Sequence, residues 1–243
     1  MGMTVTDGLT VEGGVRFFTP VGSINTTGNG GRIYTPASTN FYLGTSSWTM
    51  EGWFNATAKT RSNPILISNG NFGSNKWQIN DRNGASTKFD FSSNDLGFTL
   101  SSTTTPVNGT WYYIAVVRSV TTFRFYVNGV NEASTVVSGS LDGASSSAQT
   151  VYLAGDQGQL AQTSWNGLMT SVKITIGTAI YPSGTTFTPP RTPNTSQSGT
   201  QLLLNPIGND PFKDSSPNNW TMNQTIVSGQ PSWSATNPLT SQS

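Results

Sequence analysis

The chain contains no cysteine and no histidine. The first absence excludes a disulfide framework. The two together exclude zinc sites of the Cys/His kind and nucleophiles activated as Ser-His or Cys-His pairs. Charge is scarce too: 9% of the 243 residues are Asp, Glu, Lys or Arg, against about 25% in an ordinary soluble domain. The formal net charge is +1, and no run of Lys or Arg interrupts the polar surface. Nucleic acid and acidic lipid are therefore not expected partners, because both require a basic footprint. Nothing approaches 18 continuous apolar residues, so no insertion into a membrane is expected. Residues 1–12 lack the basic start and apolar core of a secretory signal. The opening Met1-Gly2-Met3-Thr4-Val5-Thr6 fits a myristoylation pattern formally, and reads as a chance match in a Thr-rich arm.

What the chain has instead is strand pattern, with solubility carried by Ser, Thr, Asn and Gly. Residues 110–133 show it best. Trp111, Tyr113, Ala115 and Val117 alternate with Tyr112, Ile114, Val116 and Arg118, so apolar groups occupy both faces of one strand. Such a strand belongs near the middle of a sheet, covered on both sides for part of its length. Phe123, Phe125 and Val127 resume the period of two. Asn128-Gly129 follows, and both residues accept the positive φ of a type I′ hairpin turn.

Similar signals recur along the chain. Residues 1–12 read as an arm or edge strand around Leu9 to Val11, and Val15 to Phe18 as a short strand. Asn25 to Arg32 reads as a Gly/Asn/Thr loop. Ile33 to Thr35 and Phe41 to Leu43 read as short strands. In residues 47–56, Trp48, Met50, Gly52 and Phe54 share one face; Thr49, Glu51, Trp53 and Asn55 share the other. Further strands fall at residues 65–67, 77–80, 88–91, 98–100 and 151–154. In residues 165–176, Leu168, Val172, Ile174 and Ile176 are expected on one face. The Pro-rich residues 187–193 cannot be a central strand. Residues 201–205 and 220–227 supply late strands, and residues 231–243 read as a polar tail. No segment of ten residues has helical periodicity. Many short strands between turn signals imply one all-β sandwich over residues 13–230.

Five blocks stand out in order: Ser47-Trp-Thr-Met-Glu-Gly-Trp-Phe54, Asn108-Gly-Thr-Trp-Tyr-Tyr-Ile-Ala-Val-Val-Arg118, Phe123-Arg-Phe-Tyr-Val-Asn-Gly129, Val151-Tyr-Leu-Ala-Gly155 and Trp165-Asn-Gly-Leu-Met-Thr-Ser-Val-Lys-Ile174. In sequence and in order they resemble laminin-G-like domains of the concanavalin A-like lectin/glucanase superfamily. The resemblance implies a two-sheet antiparallel jelly-roll with one concave face. Residues 177–193 are most similar to bacteriophage virion proteins of tail fibres and head decorations. That likeness implies a virion structural protein on the exterior of a capsid or tail. Its implied partners are other virion proteins, a host surface glycan or further copies of itself, docked through edge strands and the arm. The alternative is a soluble bacterial carbohydrate-binding module or lectin.

An enzyme is not expected. Glycoside hydrolysis requires two carboxylates about 5 to 9 Å apart, and same-face strand neighbours two residues apart lie about 6.6 Å from each other. The sequence has no acidic pair at that spacing, and Glu51 stands alone on its strand. Two readings of Glu51 and Trp53 stay open. They form a sugar-facing pair on the concave sheet, or Trp53 is core and Glu51 pairs with an Arg such as Arg118. Trp77 and Trp165, near loop ends, are the better candidates for a sugar platform, whereas Trp111 reads as core. Asp156, after Gly155 in a polar loop, is the one candidate calcium ligand. A single carboxylate supplies little of the six to eight oxygens calcium takes.

Overall fold

The computed structural model describes residues 21–70, 76–83, 87–143, 147–158, 160–225 and 228–239. The expected arm over residues 1–12, the strand Val15 to Phe18 and the last two residues of the strand expected over 220–227 lie outside these residues. The strands are β1 (Ser23–Thr27), β2 (Arg32–Tyr34), β3 (Trp48–Ala58), β4 (Ile65–Asn69), β5 (Trp77–Asp81), β6 (Phe89–Ser93), β7 (Phe98–Ser101) and β8 (Tyr112–Ser119). They continue as β9 (Thr122–Val127), β10 (Val130–Val136), β11 (Tyr152–Leu153), β12 (Asn166–Ile176), β13 (Thr200–Leu204), β14 (Asn223–Thr225) and β15 (Ser232–Ser234). One turn of α-helix, Leu160–Thr163, precedes β12. The strands form two sheets in which every pairing is antiparallel. The first runs β10-β9-β8-β3-β12-β1-β15, with β13 also paired to β12, and the second runs β14-β2-β11-β4-β5-β6-β7. The expected two-layer jelly-roll is what the chain adopts.

Alternation explains the packing. Trp48, Met50 and Phe54 of β3 point between the sheets. Trp48 meets Phe91 of the second sheet at 5.6 Å and Phe123 of the first at 5.9 Å, which ties the layers together. Each such side chain, fully buried, contributes about 1.5–3 kcal/mol. β8 lies between β3 and β9, as its two apolar faces require. The turn after β9 has φ of 50° at Asn128 and 81° at Gly129, the pair a type I′ hairpin needs.

The outward face of β3 and β8 is covered as well. Trp53, Tyr113, Ala115, Val117 and Tyr126 form a second apolar cluster, against which Tyr181 and Phe187 pack. Residues 178–190 lie over this face as a strap. The rings of Tyr181 and Phe187 stack on each other at 3.7 Å. Trp53 Nε1 donates to Pro190 O at 3.0 Å, and Phe187 N donates to Gly129 O at 3.0 Å.

Four local expectations are corrected. Leu168 is half-exposed and Met169 is the core residue, because the β3–β12 register shifts between Thr170 and Lys173. Ser171 sits there at φ 52°. This bulge reverses the parity of the strand. Phe41 closes a 3₁₀ turn over Thr39–Phe41 rather than opening a strand. The region read as a loop from Asn25 contains the end of β1, whose one inward hydrophobe, Ile24, is a faint signal. Residues 231–243, read as a tail, contain β15, which pairs Trp233 with Ile24.

Candidate functional site

Strand ends of the second sheet bound a polar groove of about 330 Å³. Asn69 closes β4, Lys76 precedes β5, Gln149 and Thr150 precede β11, Tyr152 lies on it, and Gln157 follows it. Tyr152 is opposite Ser68 and Tyr34 in the ladder, so its ring rises from the outward face while Leu153 enters the core. That ring stacks on Tyr34 at 5.6 Å, and the Arg32 guanidinium lies 5.1 Å from its centroid. Two cross-strand tyrosines and a cation thus make one wall rigid.

The floor is set by Asp142. This buried carboxylate accepts from Asn69 Nδ2 at 3.2 Å, Trp77 Nε1 at 3.1 Å and Leu43 N at 2.9 Å. Burial pushes its pKa up to about 6, against the hydrogen bond from Leu43 and the nearby Lys76 charge. Asn69 Nδ2 also donates to Gln149 Oε1 at 2.9 Å, and Lys76 Nζ donates to the same oxygen at 3.0 Å. Gln149 is held further by donating to Ser147 O at 2.9 Å. The groove therefore presents amides, an ammonium and a hydroxyl whose positions are fixed from below. Such groups offer donors and acceptors together, the pattern that sugar hydroxyls match. Among the described residues, no carboxylate lines it.

The residues singled out by sequence are not gathered here. Trp77 and Trp165 are both buried and present no ring to solvent. Trp77 serves the groove from behind, as the Asp142 donor. Trp165 plugs the core edge-on to Phe54 and donates to Asp81 Oδ2 at 3.3 Å. Glu51 and Trp53 do share the outward face of β3, yet the strap buries both. Glu51 pairs with Lys173 at 2.8 Å, not with Arg118, and accepts from Tyr113 at 2.5 Å and Tyr181 at 2.8 Å. Arg118 donates instead to the carbonyls of Gly44, Val120 and Gly139. Asp156 is buried, with Oδ1 accepting from Gly158 N at 3.2 Å and Thr163 Oγ1 at 3.0 Å. Among the described residues, no group of three or more acids stands together to complete a calcium shell.

The groove residues went unnoticed because single Asn, Gln and Lys side chains in loops carry no periodic signal. One pointer existed: Asp142 is the sole charged residue of the 17 from 134 to 150.

The laminin-G-like family model of the concanavalin A-like lectin/glucanases superfamily matches residues 27–176. The chain belongs to this superfamily. That laminin-G-like segment contains all the groove residues named above. A Bacteroides ovatus protein assigned as carbohydrate-binding shares the fold, with a TM-score of 0.59 and 14% identity. The match covers 88% of this chain and 62% of that one, so the chain spans under two thirds of its length. Domain 4 of the extracellular arabinanase AbnA from Geobacillus stearothermophilus, solved with arabinotriose, has a TM-score of 0.50 and 14% identity, over 67% of this chain and 73% of that one. The heptameric pentraxin of Limulus polyphemus gives 0.50 and 13%, over 65% and 77%. No curated protein sequence matches the chain.

Proposed function

We propose that this laminin-G-like domain is a carbohydrate-binding module that seats its ligand in the groove between β4, β5 and β11 without cleaving it. The observation that carries this reading is the set of Asn69, Gln149 and Lys76, held in place by a buried carboxylate and facing a rigid tyrosine wall. Preorganised donors and acceptors lower the cost of ordering on binding. Glycoside hydrolysis uses a pair of carboxylates, and the described lining of amides, an ammonium and a hydroxyl suits binding instead. The Bacteroides and Geobacillus folds described above, one assigned as carbohydrate-binding and one solved with arabinotriose, support the ligand class.

A glycan array followed by calorimetry tests the reading. One class of glycan binds, and Lys76→Ala weakens it roughly tenfold or more, the worth of a hydrogen bond from a charged group. An array with no preference, or a variant with unchanged affinity, overturns it. The setting is a separate proposal. The likeness of residues 177–193 to phage segments points to a virion exterior, where the same groove would serve adhesion to a host glycan. Mass spectrometry of purified particles that lack the chain removes that setting and leaves the groove untouched.

A further inference from the structure

We infer that a second groove, outside the matched segment, is a sugar-ring platform built on Trp220, so that the ligand is a linear neutral oligosaccharide reaching both grooves. The inference rests on the carbohydrate reading above and extends it to ligand length and charge. This groove has a volume of about 430 Å³ and is lined by Asp210, Phe212, Lys213, Asn219, Trp220 and Thr221, among others.

Its loop is organised by one carboxylate. Asp214 is buried and accepts four hydrogen bonds: from Leu203 N, Ser216 N and Trp220 N at 2.9 Å each, and from Ser216 Oγ at 2.6 Å. Those bonds occupy Asp214 in shaping the loop and leave ligand contact to its neighbours. Trp220 is pinned at both of its N–H groups, since Nε1 donates to Gln201 O at 2.8 Å. Its ring rests on Phe41 at 5.5 Å, and it stays partly exposed to the groove. An indole fixed in this way loses little freedom when a ligand covers it. Its face suits the apolar side of a sugar ring. Around it, the exposed Asp210, Lys213, Asn219 and Thr221 supply an acceptor, a donor and mixed groups for hydroxyls. Asp210 and Asp214 against Lys213 leave the lining one negative charge in excess, which turns an anionic sugar away.

Topology joins the two grooves. Thr221 and Met222 lead directly into β14, where Asn223 pairs with Tyr34 and Tyr34 pairs with Tyr152 of the first groove. Two strand spacings are roughly 10 Å, a distance one short oligosaccharide crosses.

The test is a nuclear magnetic resonance titration of the full chain. The probes are arabinotriose, xylotetraose, cellotetraose, maltotetraose and chitotetraose, each beside its monosaccharide. The expected result is that a tetraose or triose moves both the Gln149 side-chain amide and the Trp220 indole resonance. Trp220→Ala then lowers affinity for that oligosaccharide about tenfold. Lys213→Ala, a surface change that spares the fold, gives a smaller loss in the same direction. An oligosaccharide that moves Gln149 but leaves Trp220 still overturns this inference and keeps the carbohydrate reading. A panel that moves neither overturns both. A Trp220 resonance that shifts with protein concentration alone assigns the platform to a second copy of the chain, and also overturns it.

Discussion

Asp142→Asn probes the floor of the first groove through stability. Burial raises the Asp142 carboxyl from 3.8 to about 6 in the folded protein, a difference worth about 3 kcal/mol. The folded state holds this proton more tightly than the unfolded chain does. Stability tied to the group is therefore complete below about pH 4 and lost as the pH rises through 6. Asparagine does not titrate, so wild-type stability minus variant stability falls by about 3 kcal/mol between pH 4 and pH 8. The amide also sets an N–H₂ against Leu43 N, which donates to Oδ2 at 2.9 Å. That mismatch costs about 1–3 kcal/mol at every pH, an offset that leaves the slope alone. Urea unfolding followed by tryptophan fluorescence at several pH values measures the difference. A flat difference, or one that grows with pH, refutes the reasoning.

Two further outcomes are expected. Glu51→Ala strands the buried Lys173 charge and destabilises the fold by about 3–5 kcal/mol, whereas Glu51→Leu with Lys173→Met recovers most of the loss; urea midpoints compare the two. Gly129→Ala introduces a Cβ 1.8 Å from Phe187 O at a residue with φ of 81°. It costs more than about 1 kcal/mol, read as a fall in Tm, and loosens the strap, read as faster hydrogen exchange at the Phe187 amide.

The sheets were legible in the sequence where side-chain parity and a turn residue agreed. The β8–β9–β10 meander is the clearest case, because Asn128-Gly129 sets its register locally. β3 was legible to the level of which residues share a face. Parity failed at β12, where the Ser171 bulge moves Met169 inward, since a bulge has no periodic signature. β1 and β15 escaped notice because each is short and stabilised chiefly by its pairing partners. Site legibility was poorer. The sequence marked tryptophans as ring platforms, but a ring's exposure depends on what folds over it. The strap covers Trp53, and the core takes Trp77 and Trp165. The groove residues come together through a buried Asp142 whose partners lie 65 to 99 positions away. Trp220, half-exposed beside its own polar neighbours, looks like part of a late strand until β14 is seen to begin at Asn223.

A crystal structure of the chain with a bound oligosaccharide from the array addresses the central claim most directly. The account predicts the sugar in the groove against Tyr152, hydrogen-bonded to Lys76 and Gln149, with residues 178–190 still over the first sheet. A sugar on the outward face of β3 and β8, beside Glu51 and Trp53 with the strap displaced, contradicts it.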